Sequence, residues 1–459
     1  MKVVQQVRMI FLVIFLLGGS LGIAVGAEAG ALRVGAVKVD ITPADPTQLT
    51  NQWGVPFVGV HDKTYARVLV VSNGATSAVI IGIDTVEVTD ATEFVARIAK
   101  ETGIPAANIV VTATHDHNAP IVGMSDISGM HKAGPGGAAF LAKLYDDLVK
   151  AVKQSQANLQ PARLGVATGI SSINVNRDQP QPDGGYRMGK DPMGPSDKTV
   201  WVLKFESMSG EPIALLINYA VHSTVIGMKN NLLTGEVAGA SARFVEENYK
   251  DKVVAVWTLS AAGDQGPIVS DAMSTPSNFE PVNVLGQILG EEIVRVADGM
   301  NSKTMISQGR IWGAEKAVTC PGQKAAGQGP GGPGGPGGSG GPDDHGGPGG
   351  PGGQGGEPRG PMKMVDSDPV HFQIGVLMID KIALTRVSAE VVTKIYQEVR
   401  QQSPFSNTLM LTLANGRAGY ITDDAAYDVG KPESGMSSMK KGCGEATIVN
   451  GLSDLLRQY

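Results

Sequence analysis

The stretch Ile109-Val-Val-Thr-Ala-Thr-His-Asp-His-Asn-Ala-Pro120 runs an apolar segment straight into two histidines. A Val/Ile-rich run that halts at turn-prone Asn and Pro reads as a buried strand. Residues at i and i+2 of an extended segment point to one side, so His115 and His117 would share a cleft. That cleft would lie beyond the strand's carboxyl end, where open α/β sheets bind ligands. Two readings fit the residues: a metal centre with a second imidazole behind the ligand, or two surface histidines at a strand end.

The same arrangement recurs outward from this stretch. Residues 65–71, 78–83, 108–112, 200–205, 213–218 and 253–259 are rich in Val and Ile and read as buried strands. Residues 91–102, 138–156, 237–249 and 282–297 keep helical apolar spacing. Further on come strands over 370–378 and 381–385, a helix over 390–401, a strand over 408–413 and a C-terminal helix ending Leu-Ser-Asp-Leu-Leu-Arg-Gln458. This alternation predicts an α/β fold, a multi-layer sandwich of mixed β-sheets covered by helices, in a single domain over residues 30–459. Residues 328–361 hold almost nothing but Gly and Pro and predict a disordered insertion. Asp343, Asp344 and His345 break its period too soon for a collagen helix.

The 459 residues carry 38 Lys and Arg against 44 Asp and Glu, a net charge of -6 that excludes a nucleic-acid binder working by bulk positive charge. Lys2 and Arg8, the apolar run that begins at Met9, and the small residues Ala27 and Ala29 follow the order of a secretory leader. A leader over residues 1–29 predicts an exported protein, periplasmic or secreted. No later segment is apolar enough to span a bilayer. Cys320 and Cys443 are an even pair in an oxidising compartment and fit either a bridge or two free thiols. They are too few for a zinc knuckle.

A second apolar strand ends in a histidine, His222 of Leu-Leu-Ile-Asn-Tyr-Ala-Val-His-Ser-Thr224. A third runs through Leu-Ser-Ala-Ala-Gly-Asp-Gln-Gly-Pro267 and leaves Asp264 at a strand terminus, as a turn former or as a working carboxylate. A metallo-β-lactamase site needs an Asp and a His directly after its His-x-His pair, whereas Asn118-Ala119-Pro120 follows here. An amidohydrolase barrel carries its pair near the first strand, and here several strands precede His115.

Taken together, Thr-His-Asp-His-Asn-Ala-Pro120, Asn-Val-Asn-Arg-Asp178, Tyr-Ala-Val-His-Ser-Thr224, Ala-Ala-Gly-Asp-Gln-Gly-Pro267, Val-Ser-Ala-Glu-Val-Val392 and the stretch around Ala-Gly-Tyr-Ile-Thr-Asp423 resemble the neutral/alkaline non-lysosomal ceramidase family. Residues 34–43 and 61–71 carry further likeness, with no metal role for His61. The resemblance implies four zinc ligands, His115, His222, Glu390 and Tyr420. It places His117 near the substrate carbonyl and Arg177 beside the active centre. Two positions depart from the pattern: Gly266 stands where the family has a serine, and Pro432 where it has a second active-site tyrosine. The resemblance also implies a catalytic domain without the family's immunoglobulin-like C-terminal domain.

The implied chemistry is open-site zinc hydrolysis of an amide in a small-molecule or lipid substrate of the ceramide type. Asp264 or His117 would carry the proton, and Arg177 or His117 would stabilise the oxyanion. The alternatives are a zinc hydrolase of a smaller amide, ester or lactone, or a non-catalytic, zinc-stabilised exported binding protein. Oligomeric state is open.

Overall fold

The structure, a computed structural model, describes residues 29–122, 134–227, 229–270, 277–326 and 364–459. The leader up to residue 28, the 328–361 insertion and His345 lie outside the described residues. Strands Ile311–Ala325 and Met364–Ile379 pair from Ile311↔Ile379 to Ala325↔Met364, so the insertion joins the two arms of one long hairpin.

Three four-stranded units build the fold. In each, three strands pair antiparallel, a helix crosses over, a fourth strand adds parallel, and a second helix follows. The first unit comprises Arg33–Asp40, Tyr65–Ser72, Ser77–Ile83, helix Thr92–Thr102, Ile109–Ala113 and helix Gly137–Ala157. The second comprises Gln160–Ile170, Thr199–Ser207, Pro212–Tyr219, helix Glu236–Asn248, Val254–Leu259 and helix Glu280–Asp298. The third comprises Ile311–Ala325, Met364–Ile379, Ile382–Val387, helix Thr393–Gln402, Asn407–Leu411 and helix Gly444–Leu456. In every unit the crossover helix packs on the parallel strand and the second helix on the antiparallel ones. A sequence echo marks the parallel strands, with Thr112, Thr258 and Thr412 in Val-Val-Thr, Val-Trp-Thr and Met-Leu-Thr.

The first two sheets join through Val34↔Gln160 and Arg33↔Pro161 into one bent eight-stranded sheet, and the third closes the open side. Their inner faces share one core, to which Leu69, Ile80 and Val110, then Leu203, Leu216 and Val256, then Leu377, Leu384 and Leu409 contribute. Alternate residues on each outer face pack against that unit's helices, which makes three satellite cores. This is the expected sandwich of mixed sheets under helices, and apolar burial on both faces explains why the strands read as continuous Val/Ile runs. Gly82 sits where two units press close together: a Cβ there would lie 2.4 Å from the Trp257 carbonyl oxygen.

The carboxyl ends of the parallel strands converge on the common axis. Thr412 N donates to Leu259 O at 2.9 Å and Asn415 N to Val111 O at 2.8 Å. The small cluster of Ala113, Ala220, Leu259, Ala262 and Leu413 plugs the end of the core. Just past this plug the chain exits at His115, at His222 and at Glu390.

Two expectations are corrected. The helix expected over 390–401 starts at Thr393, because Glu390–Val391 form a short strand parallel to Tyr420–Ile421 instead. The β-branched run Val391-Val392-Thr393 favours that extended start. His115 is not extended: its φ is 60°, the left-handed region. A kink, and not strand alternation, brings His115 and His117 together.

Candidate metal centre

Each histidine is aimed by a backbone carbonyl of a distant segment. His115 Nδ1 lies 2.8 Å from Val86 O, and His222 Nδ1 lies 3.0 Å from Gln265 O. A carbonyl only accepts, so both Nδ1 atoms carry the proton and both Nε2 atoms present a lone pair. Those lone pairs face one point, with the ring centroids 4.3 Å apart. Glu390 Oε2 lies 3.2 Å from His115 Nε2 and 3.5 Å from His222 Nε2. Tyr420 hydroxyl lies 3.4 Å from His222 Nε2, and Glu390↔Tyr420 are register partners, which fixes the two side by side.

His117 Nε2 lies 3.2 Å from His115 Nε2. Among the described residues His115, His117 and His222 form a group whose ligand atoms all lie within 4.8 Å of one another. All three are buried, as is Glu390. Burial, with Arg177 and His115 nearby, pushes the His222 imidazole down to about 3, and burial beside His115 and His222 holds His117 well below the usual histidine range. Burial would raise Glu390, and only positive charge beside it, on the imidazoles or on a cation held among them, keeps its carboxyl well below the usual range.

This set fits a cation. Two neutral imidazole lone pairs and a buried carboxylate oxygen that receives no hydrogen bond converge within 3.5 Å. Electron-pair donors so arranged repel one another unless positive charge lies among them, and Arg177 Nη1 makes a hydrogen-bond contact with only one of the three, His222 Nε2. Two imidazoles, a carboxylate and a phenol are a donor set suited to a metal ion.

Arg177 reaches this cluster from strand Asn174–Pro180. Its Nη1 lies 3.0 Å from His222 Nε2, its guanidinium stands 5.2 Å from the Tyr420 ring centroid, and its Nε donates to Glu433 Oε1 at 2.8 Å. Asp264 stands apart from the ligands. Its Oδ1 accepts from Thr393 N at 2.9 Å and Thr393 Oγ1 at 2.8 Å, and its Oδ2 from Asn176 Nδ2 at 3.0 Å. Its backbone carbonyl accepts from Arg177 N at 2.9 Å. A carboxylate so engaged fastens the strand of Arg177 to the third unit. A Cβ on Gly266 would have nothing within 4 Å, and Pro432 opens the short helix Pro432–Met436.

Sequence reasoning missed several groups here. Glu433 directly follows Pro432, and Arg417 and Glu87 form a buried pair at 2.5 Å whose charges act on Glu390. Trp53, whose ring centroid is 5.5 Å from that of His117, was also unforeseen. The string Lys-Pro-Glu433 carried a signal for Glu433; nothing local marked the others.

Cys320 and Cys443 form a disulfide. Beside it Gln323 N donates to Ser438 O at 2.8 Å and Lys440 N to Pro321 O at 3.0 Å. Ser437 Oγ then donates to Tyr420 O at 2.8 Å. The bridge therefore ties down the segment that carries both Tyr420 and Glu433.

The neutral/alkaline non-lysosomal ceramidase N-terminal family matches residues 34–321, a stretch that includes His115, His117, Arg177, His222 and Asp264. Glu390 and Tyr420 lie beyond it, and their place rests on the geometry above. Neutral ceramidase B of Dictyostelium discoideum is 26% identical over 259 residues, 51% of this chain and 35% of that protein. The neutral ceramidase of Pseudomonas aeruginosa is 28% identical over 227 residues, 46% of this chain and 32% of that one. The matched part thus spans about a third of each relative's length. A solved ceramidase complexed with C2 superposes with a TM-score of 0.72 at 19% identity, covering 93% of this chain and 76% of that one. The Pseudomonas aeruginosa crystal structure gives 0.71 at 18%, with 93% and 74% covered. With the matched region spanning well over half of its length, the chain belongs to the neutral/alkaline non-lysosomal ceramidase family.

Proposed function

We propose that this protein is a zinc-dependent amidohydrolase that cleaves the amide of an N-acyl sphingoid lipid. The observation that carries the reading is the convergence of His115 Nε2, His222 Nε2 and the hydrogen-bond-free Glu390 Oε2 on one buried point, with the Tyr420 hydroxyl beside it. These four residues would hold the ion, which when bound would polarise the substrate carbonyl and lower the pKa of water toward neutrality. His117 is neutral at ordinary pH and its buried Nδ1 has no partner. It is suited to accept the proton of the attacking water and to pass it to the leaving amine. Arg177 keeps a buried Nη2 without a partner, a donor for the carbonyl oxygen as it gains charge. Asp264, its oxygens already taken, positions Arg177 and Thr393.

Residues 30–459 act in this reading as one catalytic unit, since ligands come from all three sheets. Export is supported by the leader-like sequence and by the Cys320–Cys443 bridge, a bond that persists in oxidising compartments. No helix among the described residues is long and apolar enough to cross a membrane.

The open space at Gly266 and the loss of a phenol at Pro432 favour a second reading, the same zinc chemistry on a smaller amide, ester or lactone. Hydrolysis of a fluorogenic N-acylsphingosine, with and without a zinc chelator, decides between them. Chelator-sensitive turnover is expected. A protein that binds zinc yet leaves this lipid intact would transfer the account to a smaller acyl substrate, or to a zinc-stabilised binding protein if small acyl substrates also survive.

A further inference from the structure

Behind Arg177 lies a buried row of charged groups that no step above uses. Arg177 Nε donates to Glu433 Oε1 at 2.8 Å, and Lys431 Nζ lies 3.2 Å from Asp178 Oδ2. Glu433 and Asp178 are brought together by these two contacts, since Asp178 follows Arg177 and Lys431 lies two residues before Glu433. Both side chains are fully buried, and the oxygens left over, Glu433 Oε2 and Asp178 Oδ1, find no donor. Two carboxylate oxygens cannot bond to each other, and two orphaned acceptors in a dry interior are destabilising. One proton between them satisfies both.

We propose that Glu433 is a neutral carboxylic acid that donates its Oε2–H to Asp178 Oδ1 and accepts from Arg177 Nε through Oε1, and so positions the guanidinium without cancelling its charge. The row then reads Lys431 cation, Asp178 anion, Glu433 acid, Arg177 cation, with each of the four carboxyl oxygens engaged. Were Glu433 ionised, Arg177 would spend its charge on an anion behind it. Held by a neutral acceptor, Arg177 keeps a positive charge for an oxygen that turns anionic during hydrolysis. This role rests on the proposed amide hydrolysis, although the proton itself does not.

The charged groups facing the pair support the assignment of the proton. Lys431 lies on the Asp178 side and Arg177 on the Glu433 side, while the buried Asp264 adds a further negative field. Burial, only partly offset by Arg177, pushes Glu433 well above the usual carboxyl range. Lys431 Nζ, 3.2 Å from Asp178 Oδ2, sets a positive charge on the Asp178 side, so the shared proton belongs on Glu433.

The test uses the whole chain and four variants. Difference infrared spectra at neutral pH are expected to show a protonated-carboxyl C=O band in the wild type that disappears in Glu433→Gln. Glu433→Gln supplies an amide with the same acceptor and donor, so it should keep turnover of the fluorogenic N-acylsphingosine within about threefold. Glu433→Ala should lower kcat at least tenfold with little change in KM, and Glu433→Ala should add little to Arg177→Met. No band, or Glu433→Gln as damaging as Glu433→Ala with both folded by circular dichroism, would overturn the proposal. If the wild type leaves this lipid intact, the N-acyl sphingoid reading fails, and the infrared band still decides the state of Glu433.

Discussion

Replacing Glu390 with Gln separates a metal centre from a merely polar cavity, because it has opposite effects on the loaded and the empty protein. Glu390 Oε2 lies 3.2 and 3.5 Å from the Nε2 atoms of His115 and His222 and receives no hydrogen bond. The Gln amide brings a donor to those lone pairs and removes a buried charge, so metal-free Glu390→Gln should be as stable as the wild type or about 1 to 3 kcal/mol more stable. With metal the sign reverses. Unit charges about 4 Å apart interact by about 4 kcal/mol at an effective permittivity of 20, and each 1.4 kcal/mol is tenfold, so zinc should bind roughly 100- to 1,000-fold more weakly. Competition titration against a chelating dye reads the affinity, and urea unfolding of metal-free and zinc-loaded protein reads the two stabilities. Zinc affinity within threefold of wild type, or a metal-free variant clearly less stable than wild type, would refute the reasoning.

Three further outcomes are expected. The metal-free wild type should lose stability relative to metal-free His222→Asn as pH falls from about 6.5, the unfolded histidine value, toward about 3, the folded value. The sign follows because the folded imidazole stays neutral where the unfolded one takes a proton; the urea midpoints of the two proteins should therefore converge on acidification, and parallel midpoints would contradict it. Arg67 is fully buried and pairs with Glu246 at 2.8 Å and Asp84 at 3.3 Å. Arg67→Met leaves buried Asp84 without its ion-pair partner and Glu246 with Lys38 alone, and should cost about 3 to 5 kcal/mol in urea unfolding; a loss under about 1 kcal/mol would show that the pair is not desolvated. Cys320→Ser with Cys443→Ser opens a loop with a sequence separation of 123. The stabilisation of about 4 to 5 kcal/mol that the cross-link gives by restricting the denatured chain should then be lost, together with zinc affinity, because the freed segment carries Tyr420; zinc binding that survives unchanged would detach the bridge from the site.

The sequence told most where function is local to a strand end. Thr-His-Asp-His117 and Tyr-Ala-Val-His-Ser-Thr224 announce their histidines because an apolar run must stop where the sheet stops, and at a sheet's carboxyl end a polar residue faces a cleft. Glu390 was legible as a residue and illegible as a conformation. Its pairing with Tyr420 depends on a strand contact that no helical spacing reveals. The left-handed turn at His115 was hidden for a related reason, since only the three-sheet junction demands it. Asp264 resembled a catalytic carboxylate until Thr393 and Asn176, each distant in sequence, were found to occupy its oxygens. Glu433 is the extreme case, 256 residues from the Arg177 it holds. The threefold repeat escaped notice because the units share strand order and packing, while little but one threonine per parallel strand recurs in sequence.

The central claim is that one metal ion at His115, His222, Glu390 and Tyr420 drives amide hydrolysis. The most direct test is to strip the protein with a chelator and add zinc back in measured equivalents, following bound zinc and the cleavage of N-acylsphingosine together. The account predicts that both rise in step and level off at one ion per chain, and that neither rises in His115→Ala or His222→Ala. Turnover that survives stripping, or a folded protein that takes up no zinc, would contradict it.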